Sequence, residues 1–122
     1  GFKYIWNEIT VTISFNSNWQ RAREIILAST QQHCMQVTAA IEKEIKLAVS
    51  KYYIIDSKLQ PDVFVSIADN GISLIARFLT EVRSRRATSE AIQTDILTEF
   101  AKTSDLTFAD VNSLTVSINS KD

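Results

Sequence analysis

Chain-breaking residues are almost absent from this sequence: after Gly1, only Pro61 and Gly71 interrupt 122 residues. Glycine and proline are the strongest local punctuation a chain carries, so this pair marks one break near the middle. The stretches on either side are free to run as long regular elements. Residues 8–15 alternate Ile9, Val11, Ile13 and Phe15 with Glu8, Thr10, Thr12 and Ser14. That is the two-residue period of a strand with one buried face.

Asn16-Ser17-Asn18 then offers side-chain oxygens to the free amides of a following helix, and nothing over residues 19–51 breaks that helix. Its apolar stripe passes through Trp19, Ala22, Ile26, Val37, Ile41, Ile45 and Ala48 to Tyr52, thinning from Ser29 to Gln32. Such a helix would be about 50 Å long. A domain of this size cannot cover that length, so the helix is expected to break or to project one end toward a partner.

Pro61 opens a second strand over residues 62–68, where Val63, Val65 and Ile67 alternate with Phe64 and Ser66. Asp69, Asn70 and Gly71 tolerate positive φ and predict a tight turn into an antiparallel strand over residues 72–80. Leu74, Ala76 and Phe78 would share one of its faces, and Ile75, Arg77 and Leu79 the other. Thr88-Ser89-Glu90 reads as the cap and acidic first turn of a second helix closing near Lys102. A last strand is expected at residues 106–108 or at 114–118, where Leu114, Val116 and Ile118 alternate. The expected class is therefore α+β. Strand, helix, hairpin, helix and strand give the βαββαβ order of a ferredoxin-like sandwich, an antiparallel sheet with two helices on one face and a long first helix.

A hydrophobic content of 45% with 22% charged residues suits a single core. The formal charge of -1 is spread over interleaved acids and bases, which leaves no footprint for nucleic acid or an anionic membrane. The lone Cys34 cannot form an internal disulfide, which fits a reducing compartment. No apolar run reaches the ~20 residues of a membrane span. The opening Gly1-Phe2-Lys3-Tyr4 lacks the basic leader and apolar core of a signal peptide.

Candidate chemistry is sparse, and no catalytic, cofactor-binding or metal-binding residue is assigned. His33 and Cys34 are neighbours on a helix and point about 100° apart, so they do not form a base and nucleophile pair. The expectation is one side chain on the core and the other near the surface. Asp56, Asp62 and Asp69 sit in or beside turns, where carboxylates bond local backbone. Glu42 and Lys46 have the spacing of an exposed helical ion pair. Arg83, Arg85 and Arg86 could grip a phosphate or carboxylate; an acidic partner within the domain or on a neighbouring subunit is the plainer reading. Trp6 and Trp19 flank the first strand as core or interface anchors. Strands 63–68 and 72–80 lack the basic, glycine-containing signature of an RNA-stacking sheet.

Several runs carry a resemblance. They are Asp69-Asn70-Gly71-Ile72-Ser73-Leu74-Ile75-Ala76-Arg77-Phe78, Arg83-Ser84-Arg85-Arg86 and Ile96-Leu97-Thr98-Glu99-Phe100, with Tyr4-Ile5-Trp6-Asn7-Glu8-Ile9 and Asn18-Trp19-Gln20-Arg21-Ala22-Arg23-Glu24-Ile25 at the front. Together they resemble the cytoplasmic vestibule region of small-conductance mechanosensitive ion channels. The resemblance implies that residues 1–7 end a preceding small β-domain or linker, residues 8–109 form the α+β domain, and residues 110–122 form a C-terminal strand or tail. It implies no enzyme and no cofactor. It implies instead part of a tension-gated channel that passes ions and small solutes in osmotic stress. The protein would assemble as a homo-heptamer, anchored in the cell membrane by helices upstream, with this domain on the cytoplasmic side. Trp6, Trp19, Arg83, Arg85 and Arg86 would then lie at subunit interfaces or portals, and Asp69, Asn70 and Gly71 would form the structural turn.

The chain departs from the family pattern at Asn18, where aspartate is usual, in a longer first helix, and over residues 110–122. The rival expectation is a free-standing ferredoxin-like regulatory module that binds a small ligand. A phosphate-hydrolysing enzyme on this fold would want a glycine-bearing loop after the first strand, and Asn16-Ser17-Asn18 has none.

Overall fold

A computed structural model describes residues 3–49 and 59–110. Among these, strand β1 (Tyr4–Ile13) leads to helix α1 (Trp19–Val49), then β2 (Asp62–Ile67) and β3 (Ile72–Glu81). A short 3-10 turn (Val82–Ser84) enters helix α2 (Arg85–Ala101). The class is α+β: a three-stranded antiparallel sheet of order β1-β3-β2 with two helices.

The expected alternation in β1 buries Ile9, Val11 and Ile13 and leaves Glu8 and Thr10 exposed. The strand starts earlier than residue 8, because its pairing with β3 runs unbroken from Tyr4↔Glu81 to Ile13↔Ile72. The boundary expected after residue 7 thus falls inside β1. The strand also stops short of residue 15. The Ser14 amide turns away to donate to the Thr107 carbonyl at 2.8 Å, and Phe15 is exposed.

The β2–β3 hairpin forms where Asp69, Asn70 and Gly71 place it, closed by the Ala68 amide donating to the Gly71 carbonyl at 2.8 Å. Its backbone corrects the expectation of positive φ, since no described residue adopts one. Glycine is needed here for space. A Cβ on Gly71 would collide with the carbonyl oxygen of Ile13 and would lie 3.2 Å from the Cβ of Ala109.

Asn18 caps α1 as its type predicts: its Oδ1 accepts the Arg21 amide at 3.1 Å, while its Nδ2 donates to Asp105 at 3.0 Å. The 31 residues of α1 run without a break, about 46 Å of helix. Burial fades after Ile41, and Leu47 is exposed. The far end of the expected stripe (the Ala48 side chain and Tyr52), together with Asp56 and the alternative strand at 114–118, lies outside the described residues.

Helix α2 begins three residues before the expected Thr88 cap. β3 runs on to Glu81, and the 3-10 turn carries the chain straight into helix, with no side-chain cap at Ser84 and no acidic residue in the first turn. Ser89 is otherwise engaged, its hydroxyl accepting from Asn7 Nδ2 at 2.9 Å. The helix gives way at Lys102, as expected. Beyond it, residues 106–108 form a single antiparallel bridge, Ile13↔Phe108, rather than a strand.

One cluster forms the core. Ile9, Val11, Ile13, Val63, Leu74, Ala76 and Phe78 all lie on one side of the pleat, by register and two-residue period. Ala22, Ile25, Ile26 and Cys34 from α1, and Ile92, Ile96 and Phe100 from α2, join the same cluster. Phe108 stacks on Phe100 with ring centroids 5.1 Å apart, which holds the chain after α2 against the core.

Candidate subunit interface

The side of the pleat facing away from that cluster carries its own rows of side chains. Trp6 stands opposite Leu79, Glu8 opposite Arg77, and Thr10 opposite Ile75, which in turn faces Phe64. The Arg77 guanidinium lies 4.0 Å from the centroid of the Trp6 ring, and its Nε lies 3.9 Å from Glu8 Oε2. A cation over an indole adds roughly 0.5–1 kcal/mol at an exposed site. Trp6 is therefore fixed in orientation while remaining 38% exposed, and Phe64 is 52% exposed. Rigid, half-open aromatic residues beside a paired charge suit protein contact. Arg77 occupies a face of the ring that a nucleobase would need, so this is a poor stacking platform.

β2 is an edge strand, and its two ends are treated differently. At the start, Arg23 reaches from α1 to Asp62 Oδ1 and to the Val63 carbonyl, both at 3.1 Å, which blocks the edge. Toward the end, Val65 and Ile67 are exposed. Open apolar edges of this kind invite a neighbouring chain.

The structure separates the two expected tryptophan anchors. Trp19 opens α1 beyond the Ile13 end of β1, while Trp6 lies roughly 24 Å back along the strand at its rise of about 3.4 Å per residue. The Tyr4↔Glu81 pairing puts Trp6 at the same end of the sheet as the arginine cluster. Arg83 lies in the 3-10 turn, and Arg85 and Arg86 lie in the first turn of α2 rather than ahead of the helix. All three are exposed, and none forms an ion pair with another described residue. They crowd the positive pole of α2, where cations are disfavoured. Asp69 and Asn70 lie exposed at the opposite end of the sheet, and Gly71 is buried there.

Between α1 and α2 runs an open groove of about 510 Å³, lined by Arg21, Glu24, Ser29, Gln32, Asp95 and Glu99 among others. On its wall Asp95 Oδ2 accepts the Ser29 hydroxyl at 2.7 Å and lies 2.8 Å from His33 Nε2. The Ser29 hydrogen bond, then that from His33, holds the Asp95 carboxyl below the usual carboxylate range. Serine, histidine and aspartate meet here without forming a hydrolytic triad. The hydroxyl donates to the carboxylate and has no base to take its proton. The three groups act as a polar clasp between the helices. Cys34 turns the other way into the core, where burial pushes its thiol up to about 11, so no reactive thiolate forms near neutral pH. Among the described residues no three His, Cys, Asp or Glu side chains converge as metal ligands.

The clasp and the Arg23–Asp62 bridge were not anticipated from sequence. One signal was present: the apolar stripe of α1 thins at Ser29, and a polar gap in a buried stripe calls for a polar partner on the facing element. Among the described residues no helix is long and apolar enough to cross a membrane. Comparison with protein-family models and with curated proteins found no match to this chain.

Proposed function

We propose that this chain is the cytoplasmic domain of a tension-gated, small-conductance ion channel, one of seven copies enclosing a vestibule beneath the pore. The observation that carries the reading is where the resembling runs fall. Residues 4–9 and 69–78, far apart in sequence, meet as paired strands at Asn7↔Phe78, Glu8↔Arg77 and Ile9↔Ala76. The resemblance thus covers one contiguous structural unit, with the arginine cluster following directly after β3, in the 3-10 turn and the first turn of α2.

The finer fold belongs to the same proposal. It is a ferredoxin-like βαββαβ layer with both helices on one face of the sheet. The order β1-β3-β2 supports it, as does the return of the chain after α2. β3 already occupies one edge of β1, so the Ile13↔Phe108 bridge uses the other edge, where a fourth strand of that fold belongs. In this role the domain carries out no chemistry. It supplies assembly surfaces, a filter through which ions and small solutes pass, and control of gating from the cytoplasmic side. A closed ring needs two different complementary patches on each copy, because head-to-tail contacts are heterologous.

The test is the full-length protein in detergent, read together with its coding sequence upstream of Gly1. A particle of seven chains, with upstream apolar segments of about 20 residues, is expected. A monomer without such segments contradicts the reading. Saturable thermal stabilisation of that monomer by an amino acid or nucleotide would identify a regulatory module instead.

A further inference from the structure

The arginine cluster and the interhelical groove are oppositely charged and lie at opposite ends of one helix. The groove is lined by three carboxylates, Glu24, Asp95 and Glu99, against the single guanidinium of Arg21, a formal charge of -2. Two of these acids are held only in exposed local pairs three residues apart, Arg21–Glu24 within α1 and Lys102–Glu99 at the end of α2, both at 3.3 Å. Such pairs contribute little and exchange readily. Arg83, Arg85 and Arg86 have no ion-pair partner among the described residues. Arg85 opens α2 and Glu99 lies in its last turn, about 21 Å away along the helix. No arginine side chain spans that distance, so the two patches cannot satisfy each other within one molecule.

We infer that the groove between α1 and α2 receives the Arg83, Arg85 and Arg86 cluster of a second copy of this chain. The contact is head to tail, since each copy offers the cluster at one end of the helical layer and the groove at the other. It also supplies the two unlike patches that a ring requires, and in that respect rests on the reading above. Guanidinium forks suit this task better than lysines, because they engage carboxylates bidentately and resist desolvation less. The contact relieves the repulsion of three cations at the positive pole of α2.

Sedimentation equilibrium of the chain at low and high salt tests this inference. Wild-type chains are expected to self-associate, more weakly as salt rises. The pair Arg85→Glu with Arg86→Glu, and separately the pair Glu24→Arg with Glu99→Arg, should each weaken association by about tenfold. An equimolar mixture of the two variants should recover it, which misfolded chains could not do. Unchanged association in either variant, a mixture as weak as its components, or a wild-type chain that stays monomeric would overturn the inference. A full-length channel that gates under tension but ignores both reversals would refute this contact alone. Recovered pairing in a protein without tension-gated current would refute the channel reading alone.

Discussion

A methyl group added at Gly71 would meet the carbonyl oxygen of Ile13, and that backbone cannot retreat without unpairing the end of β1 from β3. Gly71→Ala is therefore expected to cost about 1–3 kcal/mol, the range typical of overpacking. Urea unfolding should show it as a lower midpoint with an unchanged slope, and an unchanged midpoint would mean that the turn relaxes freely. Asp95 makes a second prediction at this scale. Its folded carboxyl is depressed by Ser29 and then by His33. That contribution to stability is fully present above the unfolded carboxylate value of about 3.9 and is lost as pH falls through the folded one. Asp95→Asn should flatten the fall of stability in that acidic window while leaving the shape of the profile above it unchanged. A mutant whose acid profile parallels the wild type would show that the clasp contributes nothing through its charge. The residues involved were only partly legible in sequence. Gly71 is legible as a turn residue, but its reason, contact with a strand far away in the chain, is tertiary. His33 had no visible partner because Asp95 comes from another helix, 62 residues on.

At the scale of elements, local rules worked where the local chain decides. The alternation in β1 and β3 and the Asn18 cap depend on neighbours in sequence, and each took the expected form. Asn18→Ala would remove both the cap of α1 and the bond to Asp105, so a loss of about 1 kcal/mol is expected. Asn18→Asp should keep the cap while facing Asp105 with a like charge, so thermal unfolding of the two variants separates the contributions. Equal melting temperatures for Asn18→Ala and wild type would show that the cap is dispensable. Expectation and structure part where continuity or pairing overrides propensity. β1 reaches back to Tyr4 because β3 is long enough to pair with it; Tyr4-Ile5-Trp6 favours strand by residue type but does not carry the two-residue alternation on from Glu8. The cap rules favoured Thr88-Ser89-Glu90, yet the 3-10 turn delivers β3 directly into helix at Arg85, and Ser89 bonds Asn7 instead. This early start carries Arg85 and Arg86 onto the first turn of α2. It is the detail that sets their charge at one end of the helical layer and the acidic groove at the other.

For the whole molecule, a formal charge of -1 conceals a strongly uneven surface. Arginines with no ion-pair partner among the described residues lie at one end of α2, carboxylates line the groove toward the other, and half-open aromatic residues stand on the side of the sheet that faces away from the core. Convergent catalytic groups do not accompany this surface among the described residues, and the one serine, histidine and aspartate cluster is wired as a structural clasp. The proposed role, assembling and lining a passage, asks for unlike surface patches of this kind. The proposed role requires that the full-length protein conduct under tension. The decisive measurement is patch-clamp recording of the full-length protein reconstituted in liposomes while suction is applied to the patch. Discrete current steps are expected, with an open probability that rises with membrane tension, and they should vanish in protein-free patches. Patches containing the verified full-length protein that stay silent up to rupture would contradict that role.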